Sequence, residues 1–207
     1  DRSGEASHHI ARIWAKVLLA VSFIRVSAIG AERLDPRGSY VFVANHASYM
    51  DIPALLAVLP QQFRFFAKRG LYRIPFLGWH LRLAGHLPVD RSNARNSLRS
   101  MTAGAQAIHD RRVSMLLFPE GGRQREGLQT FREGAAYIAI KAGVPLVPVG
   151  IMGMRELLPM GSIHIRSGKV RVRVGRPIST VGLKPAAREE VTEQLYREIR
   201  ALTDAEA

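Results

Sequence analysis

Two strings carry the residues most able to do chemistry. Asn45-His46-Ala47-Ser48-Tyr49-Met50-Asp51 sets a histidine and an aspartate five positions apart, and Phe118-Pro119-Glu120-Gly121-Gly122-Arg123 sets a carboxylate and a guanidinium on a Gly-rich turn. A histidine with an aspartate to orient it has the parts of a general base. A guanidinium beside a carboxylate, on a turn whose glycines admit a ligand close to the backbone, suits a polar and phosphorylated substrate.

The spacing restricts how the first pair can meet. Five residues turn a straight helix by about 140°, so His46 and Asp51 cannot face each other on one helix. They can meet if His46 lies in the turn leaving a strand and Asp51 opens the helix that follows. Pro53 fits the first turn of that helix, where no N–H is needed. Each pair also has a quieter reading. With seven His and six Asp in the chain, such a spacing arises by chance, Asp51 being then a helix cap. An exposed Glu120–Arg123 pair on a good turn would contribute little. Position separates the readings, because both strings follow apolar runs, Tyr40-Val41-Phe42-Val43-Ala44 and Met115-Leu116-Leu117-Phe118. Ligands of open α/β sheets collect outside the carboxyl ends of strands.

The rest of the chain alternates as such a sheet requires. Patterning predicts strands at 40–44, 63–67, 85–89, 114–118, 145–149, 162–166 and 169–174, and helices at 52–58, 76–83, 94–110, 133–142 and 186–202. The expected fold is one α/β domain over 30–207: a mostly parallel, mixed sheet flanked by helices, with an N-terminal amphipathic helix before it. Ser167-Gly168 reads as a tight hairpin near the end, its basic residues Arg166, Lys169, Arg171 and Arg173 protecting a solvated edge strand. Residues 1–9 are polar and expected to be disordered. Residues 10–29 are the most apolar stretch, but Arg12, Lys16 and Arg25 interrupt it and disqualify a spanning helix. Ile10, Ile13, Trp14, Val17, Leu18, Val21 and Ile24 share one helical face, which fits either a helix packed on its own domain or one lying in a membrane interface. No small-residue cleavage pattern follows, so a signal peptide is not expected. The chain opens on Asp1 rather than Met, which reads as a processed or truncated start.

Composition bounds the chemistry. The chain has 207 residues, 47% apolar and 23% charged, which is ordinary for a globular domain. It has no cysteine, which excludes disulfides, Cys-ligated zinc and a cysteine acyl-enzyme. The remaining histidines show no metal-ligand spacing. Net charge is +13, and the segment from Pro185 onward carries −3, leaving +16 on the rest. Such an excess favours an anionic partner: nucleic acid, an anionic membrane or acidic small molecules.

Four blocks in order resemble the glycerophospholipid acyltransferase family. His46 and Asp51 match its His-x4-Asp motif, with Asn45 and Ser48 also as expected. Lys68-Arg69-Gly70-Leu71, Pro75, Gly78, Gly85 and Val89-Asp90-Arg91 match its acceptor-binding block. Phe118-Pro119-Glu120-Gly121 and Arg123 match Phe-Pro-Glu-Gly-Thr-Arg, with Gly122 in place of the Thr. Val144-Pro145-Leu146-Val147-Pro148-Val149 and Gly153 match the proline-containing strand. The resemblance implies transfer of a fatty acyl group from a thioester, on acyl carrier protein or coenzyme A, to the hydroxyl of a lysophospholipid, above all 1-acylglycerol 3-phosphate, giving phosphatidic acid. It implies His46 as general base oriented by Asp51, with Glu120, Gly121, Arg123, Lys68 and Arg91 positioning the acceptor and its phosphate. It implies no metal and no cofactor beyond the thioester co-substrate. Membrane lipids become the expected partner and nucleic acid does not, with the protein at the cytoplasmic face of the inner or plasma membrane.

Other readings stay open. The acceptor can be another lyso-lipid. A basic membrane- or nucleic-acid-binding module without catalysis would explain the charge, although no nucleic-acid motif is present. A serine esterase would need a Gly-x-Ser-x-Gly elbow, which the chain lacks, and Ser48 precedes a helix instead.

Overall fold

The computed structural model describes residues 4–89, 94–123 and 127–204. In chain order the elements are α1 (Glu5–Val21), β1 (Ile24–Ile29), β2 (Val41–Ala44), α2 (Asp51–Val58), β3 (Phe63–Lys68), α3 (Leu77–Leu83), β4 (Leu87–Val89), α4 (Ala94–Arg111), β5 (Ser114–Leu117), α5 (Gly134–Ala142), β6 (Leu146–Met152), α6 (Met154–Leu157), β7 (Gly168–Val174) and α7 (Arg188–Asp204). The strands form one sheet in the order β1-β7-β6-β2-β5-β3-β4. Pairing is parallel everywhere except between β6 and β7, so β7 and β1 run against the other five strands. The sheet is mostly parallel, as the alternation of elements predicts, and mixed, its antiparallel pair being β6–β7 rather than a hairpin at Ser167-Gly168.

Both faces of β2 are buried, and its residues divide by parity. Phe42 and Ala44 pack with α1 and α2 on one face, while Val41 and Val43 pack with α4, α5 and α7 on the other. This division positions the site. After β2 the chain passes through α2 on the first face toward β3; after β5 it passes through α5 on the second face toward β6. The segments leaving β2 and β5, neighbours in the sheet, therefore diverge to opposite faces. A crevice opens there, as at any such reversal of strand order.

The amino end differs from expectation in two respects. Glu5–His9 begin α1 rather than lying disordered, because His8 is buried with its ring edge-on to Phe63, centroids 5.3 Å apart. The helix stops at Val21, and Ile24–Ile29 forms β1 alongside β7; its alternation of apolar and polar residues is a period-2 pattern that the longer apolar stretch conceals. The boundary expected after residue 29 therefore falls at a sheet edge, and β1 belongs to the main sheet. The face of α1, for which the sequence leaves two readings, follows from burial. His8, Ala11, Ala15 and Leu19 are buried, the small alanines letting α1 approach α2, while Ile10, Ile13, Trp14, Val17 and Val21 are all more than half exposed. The apolar stripe points outward.

The expected hairpin at Ser167-Gly168 is absent. Residues 162–166 are not a strand, Ile163 and Ile165 being exposed, and Gly168 opens β7 beside β1 with its N–H on the Phe23 carbonyl at 3.2 Å. Since β7 lies between β1 and β6, its basic residues do not guard an edge. Arg173 instead donates to the Leu202 carbonyl of α7 at 3.2 Å. Among the described residues no helix is long and apolar enough to cross a membrane.

Candidate active site

His46 lies in the irregular stretch after β2, and Asp51 is the first residue of α2, the arrangement the spacing requires. The His46 Nδ1 is 2.8 Å from Asp51 Oδ2. The same oxygen accepts the N–H groups of Ala47 at 2.8 Å and Ser48 at 2.9 Å. Asp51 is fully buried and its Oδ1 has no hydrogen-bond partner among the described residues. Three donors on one oxygen, at the start of a helix, offset the desolvation of the carboxylate. They also fold the chain between His46 and Asp51 into one tight loop. A carboxylate facing Nδ1 accepts a hydrogen bond from its N–H and keeps the proton there, so Nε2 is the ring atom left able to accept one.

Three further contacts brace the histidine. Its ring stacks on Phe118 at the end of β5, centroids 3.9 Å apart with 15° between planes. Its backbone N–H donates to Glu120 Oε1 at 2.8 Å, and the other Glu120 oxygen accepts the Gln129 N–H at 3.3 Å. Asn45 ties β2 to β6 with two bonds to Ile151, its Nδ2 donating to the carbonyl at 2.9 Å and its Oδ1 accepting the N–H at 2.8 Å. Ser48 is buried and its hydroxyl donates to the Leu158 carbonyl at 3.0 Å, which removes it as a nucleophile.

Beside His46 a cavity of about 310 Å³ is lined by Asn45, Ala47, Glu120, Leu128, Met152 and Arg155 among others. The expected site residues divide around it. Glu120 reaches the wall, but as a buried brace whose two oxygens are already occupied by backbone N–H groups. Gly121, with φ of 80°, makes the turn after β5 and lines a separate small cleft behind Phe118 with Phe66 and Met101. The Arg123 guanidinium lies 3.3 Å from the ring centroid of Tyr49, and its Nη1 is buried without an acceptor among the described residues. Lys68 is exposed at the end of β3, and Arg91 lies outside the described residues. At Gly122 an added Cβ would meet no heavy atom within 4 Å, so steric room does not explain the missing Thr. Sequence reasoning passed over Tyr49, Phe118 as the stacking partner, Gln129 and Arg155. An aromatic directly inside the His–Asp string was the available signal for Tyr49; nothing local marked Arg155.

A family model described as Acyltransferase matches residues 25–152. Among curated proteins, a chloroplastic 1-acyl-sn-glycerol-3-phosphate acyltransferase of Brassica napus is 36% identical over 182 residues, covering 86% of this chain and 52% of its own length. The human 1-acyl-sn-glycerol-3-phosphate acyltransferase alpha is 34% identical over 163 residues, covering 78% of this chain and 58% of its own. The chain thus spans little more than half the length of these relatives. The solved 1-acyl-sn-glycerophosphate acyltransferase PlsC of Thermotoga maritima matches with a TM-score of 0.82 and 26% identity, over 100% of this chain and 85% of that one.

Burial is the main influence on Glu120 and raises its carboxyl above the ordinary value of 4.5, against the two backbone N–H bonds that pull it down. A folded-state value above the unfolded one means that folding takes up a proton in the window just above pH 4.5, so stability declines as pH rises through it. Glu120→Gln is expected to remove that part of the slope, read as urea-unfolding midpoints across the window. An unaltered slope would show that the carboxylate is not held in this site.

Proposed function

The chain belongs to the acyltransferase family, and from that membership we propose that it transfers a fatty acyl group from a thioester to the free hydroxyl of 1-acylglycerol 3-phosphate, forming phosphatidic acid. The observation carrying this reading is the His46–Asp51 pair on the wall of a cavity at the carboxyl ends of β2 and β6. His46 Nε2 takes the proton of the acceptor hydroxyl as its oxygen attacks the thioester carbonyl. Asp51 keeps the other proton on Nδ1 and stabilises the imidazolium. The tetrahedral intermediate collapses by breaking the carbon–sulfur bond, and the imidazolium returns its proton to the departing thiolate. The new oxygen–carbon bond is the ester. Sulfur leaves readily, so no covalent enzyme intermediate is needed.

The acceptor phosphate is assigned to Arg123, whose buried, unmatched nitrogen supports an anion there; Lys68 and Arg91 assist from the adjoining block. Glu120 and Gly121 act by holding the loops, Glu120 through the His46 N–H. The donor is an acyl thioester of acyl carrier protein or coenzyme A, and no further cofactor takes part. The outward apolar stripe of α1 supports attachment at a membrane surface on the cytoplasmic side. There Trp14 would sit at headgroup depth, as would the exposed Phe76 and Trp79.

A thiol-release assay with a lysophosphatidate acceptor, followed by mass spectrometry of the lipid product, tests the reaction. Turnover is expected in the parent, and His46→Ala is expected to lower kcat by at least ~10²-fold in folded protein. Near-normal turnover in that variant would remove His46 from the chemistry. Replacing Ile13 and Trp14 by Asp is expected to reduce binding to anionic lipid vesicles by at least ~10-fold with an unchanged melting temperature, since each buried large apolar side chain contributes about 1.5–3 kcal/mol. Undiminished vesicle binding would move the membrane contact elsewhere.

A further inference from the structure

The cavity beside His46 has a cation that the family blocks do not include. Gly153 follows β6 with φ of 85°, and an added Cβ there would lie 2.6 Å from the Lys169 carbonyl oxygen, so this tight turn into α6 requires glycine. The turn sets Arg155 on the cavity wall, where His46, Asn45 and Ala47 also stand. Its guanidinium is poorly matched by the protein. Nη2 makes one long bond, 3.4 Å, to the Gly127 carbonyl, and Nε is buried with no acceptor among the described residues. None of the three carboxylates lining the cavity forms an ion pair with it among the described residues: both Glu120 oxygens accept backbone N–H groups and reach Arg155 only as a more distant charge, Asp204 pairs with Arg200 at 3.3 Å, and Glu156 is exposed. A partly buried guanidinium whose Nε lacks an acceptor leaves a hydrogen-bond donor that a bound anion can satisfy.

The strand order gives this position its meaning. β2 lies between β6 and β5, so Arg155, following β6, and Arg123, following β5, flank His46 from opposite sides. Arg123 rests on Tyr49 and does not line the cavity. Two separated guanidinium groups, each with a buried nitrogen unmet, suit two separate anions.

Resting on the acyltransferase reading, we propose that Arg155 is a substrate-binding residue that holds a phosphate on the β6 side of His46, apart from the phosphate at Arg123. The acceptor carries a single phosphate, which rests on Arg123, so the one at Arg155 belongs to the donor's carrier group. Arginine-specific modification by phenylglyoxal tests this, with the extent at Arg155 read by mass spectrometry on the unaltered enzyme. Coenzyme A is expected to slow modification at Arg155 at least ~5-fold, and lysophosphatidate is not. Arg155→Gln is then expected to raise the apparent KM for the thioester about tenfold or more with kcat within about threefold, and Arg155→Lys to recover part of the loss. An enzyme that turns over while coenzyme A fails to protect Arg155, or while lysophosphatidate alone protects it, would overturn this assignment and leave the acyltransfer reading intact. No turnover in the parent would instead strike that reading. Protection does not depend on the variants, so a misfolded Arg155→Gln does not remove the test.

Discussion

A single oxygen, Asp51 Oδ2, receives the His46 ring and the N–H groups of Ala47 and Ser48. A fully buried carboxylate is costly unless it is met by donors, and here the donors belong to the loop that must be shaped. Satisfying the charge and orienting the imidazole are therefore one event. Any change that lets the loop relax also frees the ring, and any change that removes the side-chain oxygen leaves two backbone donors buried without an acceptor. The functional geometry is thus coupled to local stability rather than placed upon it.

The rest of the sheet serves that loop. Asn45 fastens β2 to β6 just before His46, and Glu120 reaches from the segment after β5 to the His46 N–H. Phe118 closes the remaining side by stacking on the ring. The two strands flanking β2 thus hold these two residues, β6 through Asn45 and the segment after β5 through His46. Because α2 and α5 lie on opposite faces, their connecting segments part at this point and leave the cavity open. The two arginines belong to the flanks of that opening. The molecule thus combines the outward apolar face of α1 with a polar, cation-flanked site.

Much of this was legible in the chain because local chemistry and global position agreed. The apolar runs before His46 and before Glu120 are short, β-rich and bounded by turn residues, so their strands and their carboxyl ends could be located. His46 and Asp51 needed only one local geometry, a turn followed by a helix start. Glu120 was found but its part was not, since a bond from its side chain to the His46 backbone joins residues 74 apart. Arg155 was invisible for the same reason: its nearness to His46 depends on β6 pairing with β2, which no local pattern encodes. The misreading of residues 22–29 has another cause. A continuous apolar stretch satisfies a helical and an alternating pattern at once, and pairing with β7 decided for the strand. The face of α1 was ambiguous because its buried side is built from alanines, which a hydrophobicity pattern ranks below the isoleucines and tryptophan that remain outside.

The central claim is that Asp51 fixes the tautomer of a histidine that removes a proton from a lipid alcohol. The most direct measurement is kcat for Asp51→Asn, in a variant shown by circular dichroism and melting to be folded. Asn keeps an acceptor for the loop N–H groups but presents an N–H or a neutral oxygen to the ring, so kcat is expected to fall by roughly 10²–10⁴-fold. A folded Asp51→Asn enzyme turning over within a few-fold of the parent would contradict the account.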